Sequence, residues 1–273
     1  MSTENPLLDS RRLARSVPDP SAAIDRIAPT QEPRRRPVMR QSWRELLFLH
    51  WPISPDALRP LIPPQLEIDL FEGTAYVGLV PFTMTGVRPV GVPPVWGLSS
   101  FHETNVRTYV HLNGRDPGVW FFSLDAANPL AVTLARTFFH LPYYHARMYL
   151  EREPAGQSDD PRPILYAGVR RRPDPRPASY LIRATPTGPA HPAQPGTLEH
   201  FLVERYLLYA VAQERLYQGQ VYHRPYPLQS AAIETVDESL VAAAGLSRPD
   251  ALPLAHFASG VDVRVYALKS PAE

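Results

Sequence analysis

From Trp43 onward the chain is a succession of short apolar stretches, most with the period-two alternation of half-buried strands, separated by proline- and glycine-rich breaks. Residues 43–51 read as a strand. Ser54-Pro55-Asp56 opens a short helix through residue 61, with proline in the first turn, and Pro63-Pro64 ends it. Residues 66–70 and 74–82 read as strands around a turn at Glu72-Gly73, and residues 83–99, rich in Gly and Pro, as a long loop. Residues 101–112 and 118–125 pair through a turn at Asn113-Gly114-Arg115-Asp116. Asn128-Pro129 is an N-cap followed by proline at the first helical position, and that helix must stop before Pro142. Strands follow at 144–152 and 163–172, with a polar loop between them, and at 179–185. Thr197 caps a short helix to residue 205. Strands return at 206–212, 216–222 and 229–236, then a helix at 237–244 stopped by Gly245, and a strictly alternating strand at 261–268. Strands dominate, helices are short, and the strand–helix alternation of parallel sheets is absent. The chain is mainly β (α+β): an antiparallel barrel or a sandwich with several inserted helices. Residues 1–37, polar and carrying six prolines and Arg34-Arg35-Arg36, read as a mobile tail, leaving 38–273 as one folded domain.

The alternation also sorts chemistry. On a strand, Glu103, Asn105, Arg107 and Tyr109 share one face, while Thr104, Val106, Thr108 and Val110 share the other. The second row is β-branched and suits a packed layer. The first is polar, apt for a barrel cavity or for a solvent-facing side of the sheet. In Arg136…His140-Leu141-Pro142-Tyr143-Tyr144, a helix ends, proline forces extension, and consecutive tyrosines point to opposite faces. His200 and Glu204 are one helical turn apart, without the His-Glu-x-x-His spacing of zinc hydrolases. Tyr222-His223-Arg224-Pro225-Tyr226-Pro227 is a stiff aromatic segment suited to a pocket mouth or a corner.

Composition narrows the classes. The net charge is +1, which argues against a dedicated nucleic-acid or membrane-surface protein. There is no cysteine, which excludes disulfides, thiolate metal sites and a cysteine nucleophile. The nine histidines are scattered without ligand spacing, so no metal site is expected. No Gly-x-Ser-x-Gly elbow, phosphate loop or Gly-x-Gly-x-x-Gly is present, and no cofactor is implied. No apolar run approaches the roughly 20 residues of a membrane span, and residues 1–12 lack an apolar signal region. A cytoplasmic protein is the expectation.

From Trp43 on, the chain resembles the YqjF-like family of uncharacterised bacterial proteins. The resemblance rests on Phe48-Leu49-His50-Trp51-Pro52, Gly78-Leu79-Val80-Pro81-Phe82, Glu103-Thr104-Asn105-Val106-Arg107-Thr108-Tyr109-Val110 and Phe122-Ser123-Leu124-Asp125-Ala126. It continues through Leu141-Pro142-Tyr143-Tyr144, Glu204-Arg205-Tyr206 and Val261-Asp262-Val263. That family is similar in turn to the acetoacetate-decarboxylase superfamily, an antiparallel barrel around a buried cavity. The resemblance implies that Arg44, of the pair Arg44-Glu45, corresponds to a substrate-carboxylate ligand. It also implies that Glu103 corresponds to the cavity glutamate and Tyr143-Tyr144 to the decarboxylases' lysine pair. A phenol cannot form an imine, and the chain's single lysine, Lys269, lies near its end. Schiff-base decarboxylation is therefore not expected.

The candidate set is Glu103 and Tyr143 as catalytic groups, with Arg44, Asn105, Arg107, Arg136 and Tyr144 as ligand contacts. Two main readings stand open: an enzyme with Glu103 as general acid or base, through lyase, isomerase or hydrolase chemistry, and a barrel that binds a small molecule without turnover. An interaction module with a filled interior is a third. In the first two the partner is a small-molecule ligand, and exposed strand edges favour a homo-oligomer.

Overall fold

Local chemistry sets the hairpins of the computed structural model, which describes residues 24–153, 162–172 and 177–271. Glu72 and Gly73 (φ 48° and 80°), like Asn113 and Gly114 (φ 50° and 70°), take successive left-handed conformations. That geometry matches the twist of paired strands and suits tight hairpins. The strands are β1 (Met39–Ile53), β2 (Glu67–Ile68), β3 (Ala75–Pro89), β4 (Phe101–Leu112), β5 (Arg115–Ala126), β6 (Tyr143–Arg152), β7 (Ile164–Arg172), β8 (Ser179–His191), β9 (Leu207–Ala212), β10 (Arg215–Tyr222), β11 (Leu228–Glu238) and β12 (Leu254–Lys269). The helices are α1 (Pro55–Leu58), α2 (Pro129–Phe138), α3 (Leu198–Val203) and α4 (Leu240–Ala243), with 3-10 turns at Ala28–Thr30 and Arg59–Leu61. Ser54, Asn128 and Thr197 accept backbone N–H bonds as N-caps, as their sequence positions predict.

Pairing runs β4–β5–β6–β7–β8–β11–β12–β1–β3 and returns to β4, so the sheet closes into a barrel-like ring; β9 and β10 form a second bridge between β5 and β12. Almost all pairs are antiparallel, but β5 pairs in parallel with both β6 and β9. β1, β3 and β4 bury both faces. Leu47, Leu49, Trp51, Val77, Leu79, Val106 and Val110 belong to one apolar core, and Leu46, Phe48, Tyr76, Val80, Phe82 and Tyr109 to another. Burial on both sides explains why β1 and β3 read as nearly continuous apolar runs.

Several boundaries differ from the sequence reading. β3 continues through Pro89 into the expected loop, because Gly86 (φ 63°) absorbs an irregularity and pairing with β1 resumes at Arg40↔Arg88. β8 extends to His191 on the same principle, held by β11. The expected helix at 237–244 is confined to α4, since Asp237 and Glu238 still pair with Leu181 and Tyr180.

The expected tail to residue 37 is anchored over its last part. Arg26 forms an ion pair with the fully buried Asp69, Arg35 donates to Ala267 O at 2.8 Å, and Glu32 pairs with Arg264. A buried carboxylate needs cationic partners, and Arg26 is one of them. The first part of that tail, residues 1–23, and most of the expected polar loop, 154–161, lie outside the described residues.

Candidate functional site

Strict alternation along β4 turns Val106 and Val110 toward β7 and β8 inside the ring, and it sends Glu103, Asn105, Arg107 and Tyr109 to the other face, which α3 covers. They are 2%, 5%, 8% and 0% exposed, so this polar row faces the interior and not solvent. Opposite it, α2 ends at Phe138, His140 takes a left-handed turn (φ 54°), and Pro142 precedes β6. β6 then pairs in parallel with β5 at Leu124↔Tyr143, which turns Tyr143 inward. Its hydroxyl donates to Glu103 Oε2 at 2.8 Å.

The electrostatics of this pair follow from burial. Removal from water pushes the Glu103 carboxyl up to about 8; nearby Asp125 adds to the rise, and the Tyr143 hydrogen bond partly opposes it. Tyr143 is held well above the usual phenol range by burial and by Glu103. At neutral pH the pair is a protonated carboxyl beside a protonated phenol, an arrangement able to donate or relay a proton.

Arg107 is the second feature. Its Nη2 donates to Leu202 O at 2.9 Å, and its guanidinium lies 5.7 Å from the ring centres of both Phe48 and Tyr109. Its Nε has no hydrogen-bond partner and it forms no ion pair with a carboxylate among the described residues. Asn105 Oδ1, His50 Nδ1 and His223 Nε2 are likewise buried without partners. His223, at 1% exposure, stacks on Tyr206 with ring centres 4.4 Å apart and lies 4.5 Å from Tyr226. Burial lowers it to about 4, so it is neutral at pH 7. His50 is lowered well below the usual histidine range by burial, Arg107 and His256. Unsatisfied buried polar atoms are rare in folded proteins, and four of them accompany this interior wall. Sequence spacing gave no sign of His50, which comes from β1, whereas His223 lies in the aromatic segment at the β10–β11 connection that the sequence offered for a pocket mouth or a corner.

The other predicted contacts lie elsewhere. Arg44 is turned out of the interior by Glu45, whose left-handed backbone (φ 54°) accompanies a register shift between β1 and β3. The shift places Trp43, not Arg44, on the face of Leu46 and Phe48, and Trp43 packs edge-on against Phe82 at 5.8 Å. Arg44 pairs instead with Asp262 at 2.6 Å in an open surface cleft. Arg136 donates to Tyr143 O at 2.8 Å and, with Tyr144, lines a separate cleft of about 900 Å³ beside Trp120, Phe121 and Phe122. There the Arg170 guanidinium covers the Tyr144 ring at 4.1 Å and makes a bidentate pair with buried Asp125, at 2.7 and 2.8 Å.

Glu204-Arg205-Tyr206 is a buried structural network. Tyr206 OH and Tyr226 N donate to Glu204 at 2.6 and 2.9 Å, and Arg205 pairs with Asp69 at 2.7 Å. No group of metal-ligating side chains occurs among the described residues. No helix among them is long and apolar enough to cross a membrane. Lys269 is exposed at the end of β12.

Comparison with known proteins agrees with this architecture. The sequence profile of the DUF2071 family, described as an uncharacterized conserved protein, matches residues 40–262. The uncharacterized protein YqjF of Bacillus subtilis (strain 168) is 38% identical over 232 residues, covering 85% of this chain and 92% of that protein. Among solved structures, the enduracididine biosynthesis enzyme MppR complexed with pyruvate superposes with a TM-score of 0.58 at 15% identity, over 87% of this chain and 91% of that one. The acetoacetate decarboxylase of Legionella pneumophila gives 0.57 at 15%, over 87% and 88%. An acetoacetate decarboxylase-like enzyme from Sphingomonas wittichii RW1 gives 0.57 at 12%, over 87% and 94%. At these identities the likeness is one of fold.

Proposed function

The chain belongs to the DUF2071 family, and we propose that it uses the interior of its acetoacetate-decarboxylase-like fold to hold a small anionic or keto-type molecule, with Glu103 as general acid/base and Tyr143 as its partner. The observation that carries this reading is Glu103 itself: a buried carboxyl that meets a phenol instead of a cation and is raised to about 8. Below that pH it is a proton donor to a ligand carbonyl; above it, a base. Arg107 is the group suited to a ligand carboxylate, because a buried guanidinium without an ionic partner is stabilised by an incoming anion. Asn105 Oδ1 offers an acceptor between the two.

The chemistry is not imine formation, since the resemblance sets the decarboxylase lysine pair against Tyr143 and Tyr144. Proton transfer next to a carbonyl, as in an isomerase or a lyase that works through an enol, asks only for the groups present. One solved neighbour is described as complexed with pyruvate, which makes a 2-keto acid the first ligand to try.

The test is solvent deuterium exchange into the methyl groups of pyruvate and acetoacetate, followed by NMR. The wild type should accelerate exchange over buffer, and Glu103→Gln should lose about 10²–10⁴-fold of that acceleration. Arg107→Met should weaken binding of the keto acids and leave a neutral ketone unaffected. Unchanged exchange in Glu103→Gln sinks the assignment. So does a borohydride-trapped adduct that survives Lys269→Ala.

A binding role without turnover is favoured by one separate observation, the aromatic cleft at Trp120, Phe121 and Phe122 with Arg136 at its edge. Recovery of an intact ligand contacting that cleft would support it.

A further inference from the structure

Strand register assembles an arginine row that no local motif announces. Arg40 on β1 is directly opposite Arg264 on β12 and Arg88 on β3. Arg264 is in turn opposite Tyr222 on β10. Directly opposed residues share a face, so Arg88, Arg40, Arg264 and Tyr222 form one lateral line across four adjacent strands. The line depends on an irregularity in β3. Thr85 pairs with Ser42, and unbroken register would then set Val87 against Arg40. The left-handed Gly86 inserts an extra residue, brings Arg88 into line and lets Val87 pack on the apolar core.

Like charges placed directly opposite each other on neighbouring strands are destabilising, and here the juxtaposition occurs twice in succession. Arg44 and Arg224 flank the row, and all five arginines line one open cleft of about 1030 Å³ with Pro225, Pro227 and Gly260. Among the described residues the only acidic one lining it is Asp262, which Arg44 already holds. Arg264 reaches Glu32, and Arg88 donates to Gly86 O at 2.7 Å. Arg40 and Arg224 have no ion-pair partner among the described residues. The lining is thus strongly cationic on a chain whose net charge is only +1.

We propose that this cleft binds a small molecule bearing more than one phosphate group. Three strands at a spacing of about 4.8 Å put Arg88 and Arg264 roughly 10 Å apart at the backbone, with Arg40 between them. Converging guanidinium forks across that span can engage successive phosphoryl groups, and a planar fork is the side chain best suited to phosphate oxygens. A single carboxylate would leave most of the row unneutralised. The cleft is separate from the Glu103–Tyr143 interior and does not depend on the function proposed for it. The shared chemistry is the polyphosphate, whether free, as in a nucleotide, or carried by a lipid headgroup.

Titration calorimetry on the full chain, with pyrophosphate and with ATP as probes, tests this. The wild type should bind both, with an affinity that falls as salt rises. The double variant Arg40→Gln/Arg88→Gln should bind at least tenfold more weakly, while Arg147→Gln, an exposed arginine on β6, should bind as the wild type does. Thermal melts without ligand give an independent readout: removing the opposed charges should leave the melting temperature unchanged or raised, and pyrophosphate should raise it for the wild type only. Vesicles containing a phosphoinositide distinguish a headgroup source from a free one when run beside ATP. Absence of binding by both probes overturns the proposal. Equal binding by the double variant, a double variant that melts lower without ligand, or retention of single-stranded DNA in preference to pyrophosphate and ATP would do so as well.

Discussion

Glu103 and Asp125 lie on adjacent strands, 2% and 1% exposed, and they meet opposite partners. Asp125 receives the bidentate fork of Arg170, a geometry that keeps a carboxylate ionised even when dry. Glu103 receives a phenol hydroxyl and holds its proton up to about pH 8. Two consecutive residues of β6 separate these fates: Tyr143 faces Glu103, and Tyr144 lies under Arg170. Burial is the same for both acids. The partner decides which one is a structural anion and which is a poised acid.

Breaking the ionic side of this comparison has the largest expected effect. Arg170→Met leaves Asp125 buried without its cation and should cost about 3–5 kcal/mol in chemical denaturation. The neutral side should respond in the opposite direction. The native protein keeps the Glu103 proton that the unfolded chain releases near 4.5, so this residue lowers stability progressively as pH rises from about 4.5 to about 8. Glu103→Gln removes that penalty. Its unfolding free energy should match the wild type near pH 4.5 and exceed it increasingly towards pH 8, by an amount on the order of a few kcal/mol. A pH-independent difference between the two would show that Glu103 is ionised in the native state.

Tyr143→Phe removes the one side-chain donor to Glu103 among the described residues. It should cost about 1 kcal/mol and move the Glu103 titration still higher, read by carbon NMR of labelled glutamate. Tyr144→Leu should have the smallest effect. Losing the ring under Arg170 is worth roughly 0.5–1 kcal/mol, and the Glu103 titration should stay in place. A Glu103 shift in the Tyr144 variant as large as in the Tyr143 variant would erase the distinction drawn between the two faces of β6.

By itself the sequence determined what short-range rules govern. Period-two alternation put Glu103, Asn105, Arg107 and Tyr109 on one face, the glycine turns set hairpins, and Asn128-Pro129 and Pro142 bracketed α2. The tyrosines in place of a lysine pair were legible as a loss of imine chemistry. What stayed hidden depended on contacts between residues far apart in the chain. Arg44 left the interior because one left-handed residue, Glu45, shifted the register of β1. The bulge at Gly86 made an arginine row from residues in β1, β3 and β12, and the parallel pairing of β6 beside β5 brought Tyr143 within a hydrogen bond of Glu103. A side chain's face follows from its neighbours along the strand. Its partner, and with it the charge a buried group carries, follows from which strand the fold sets beside it.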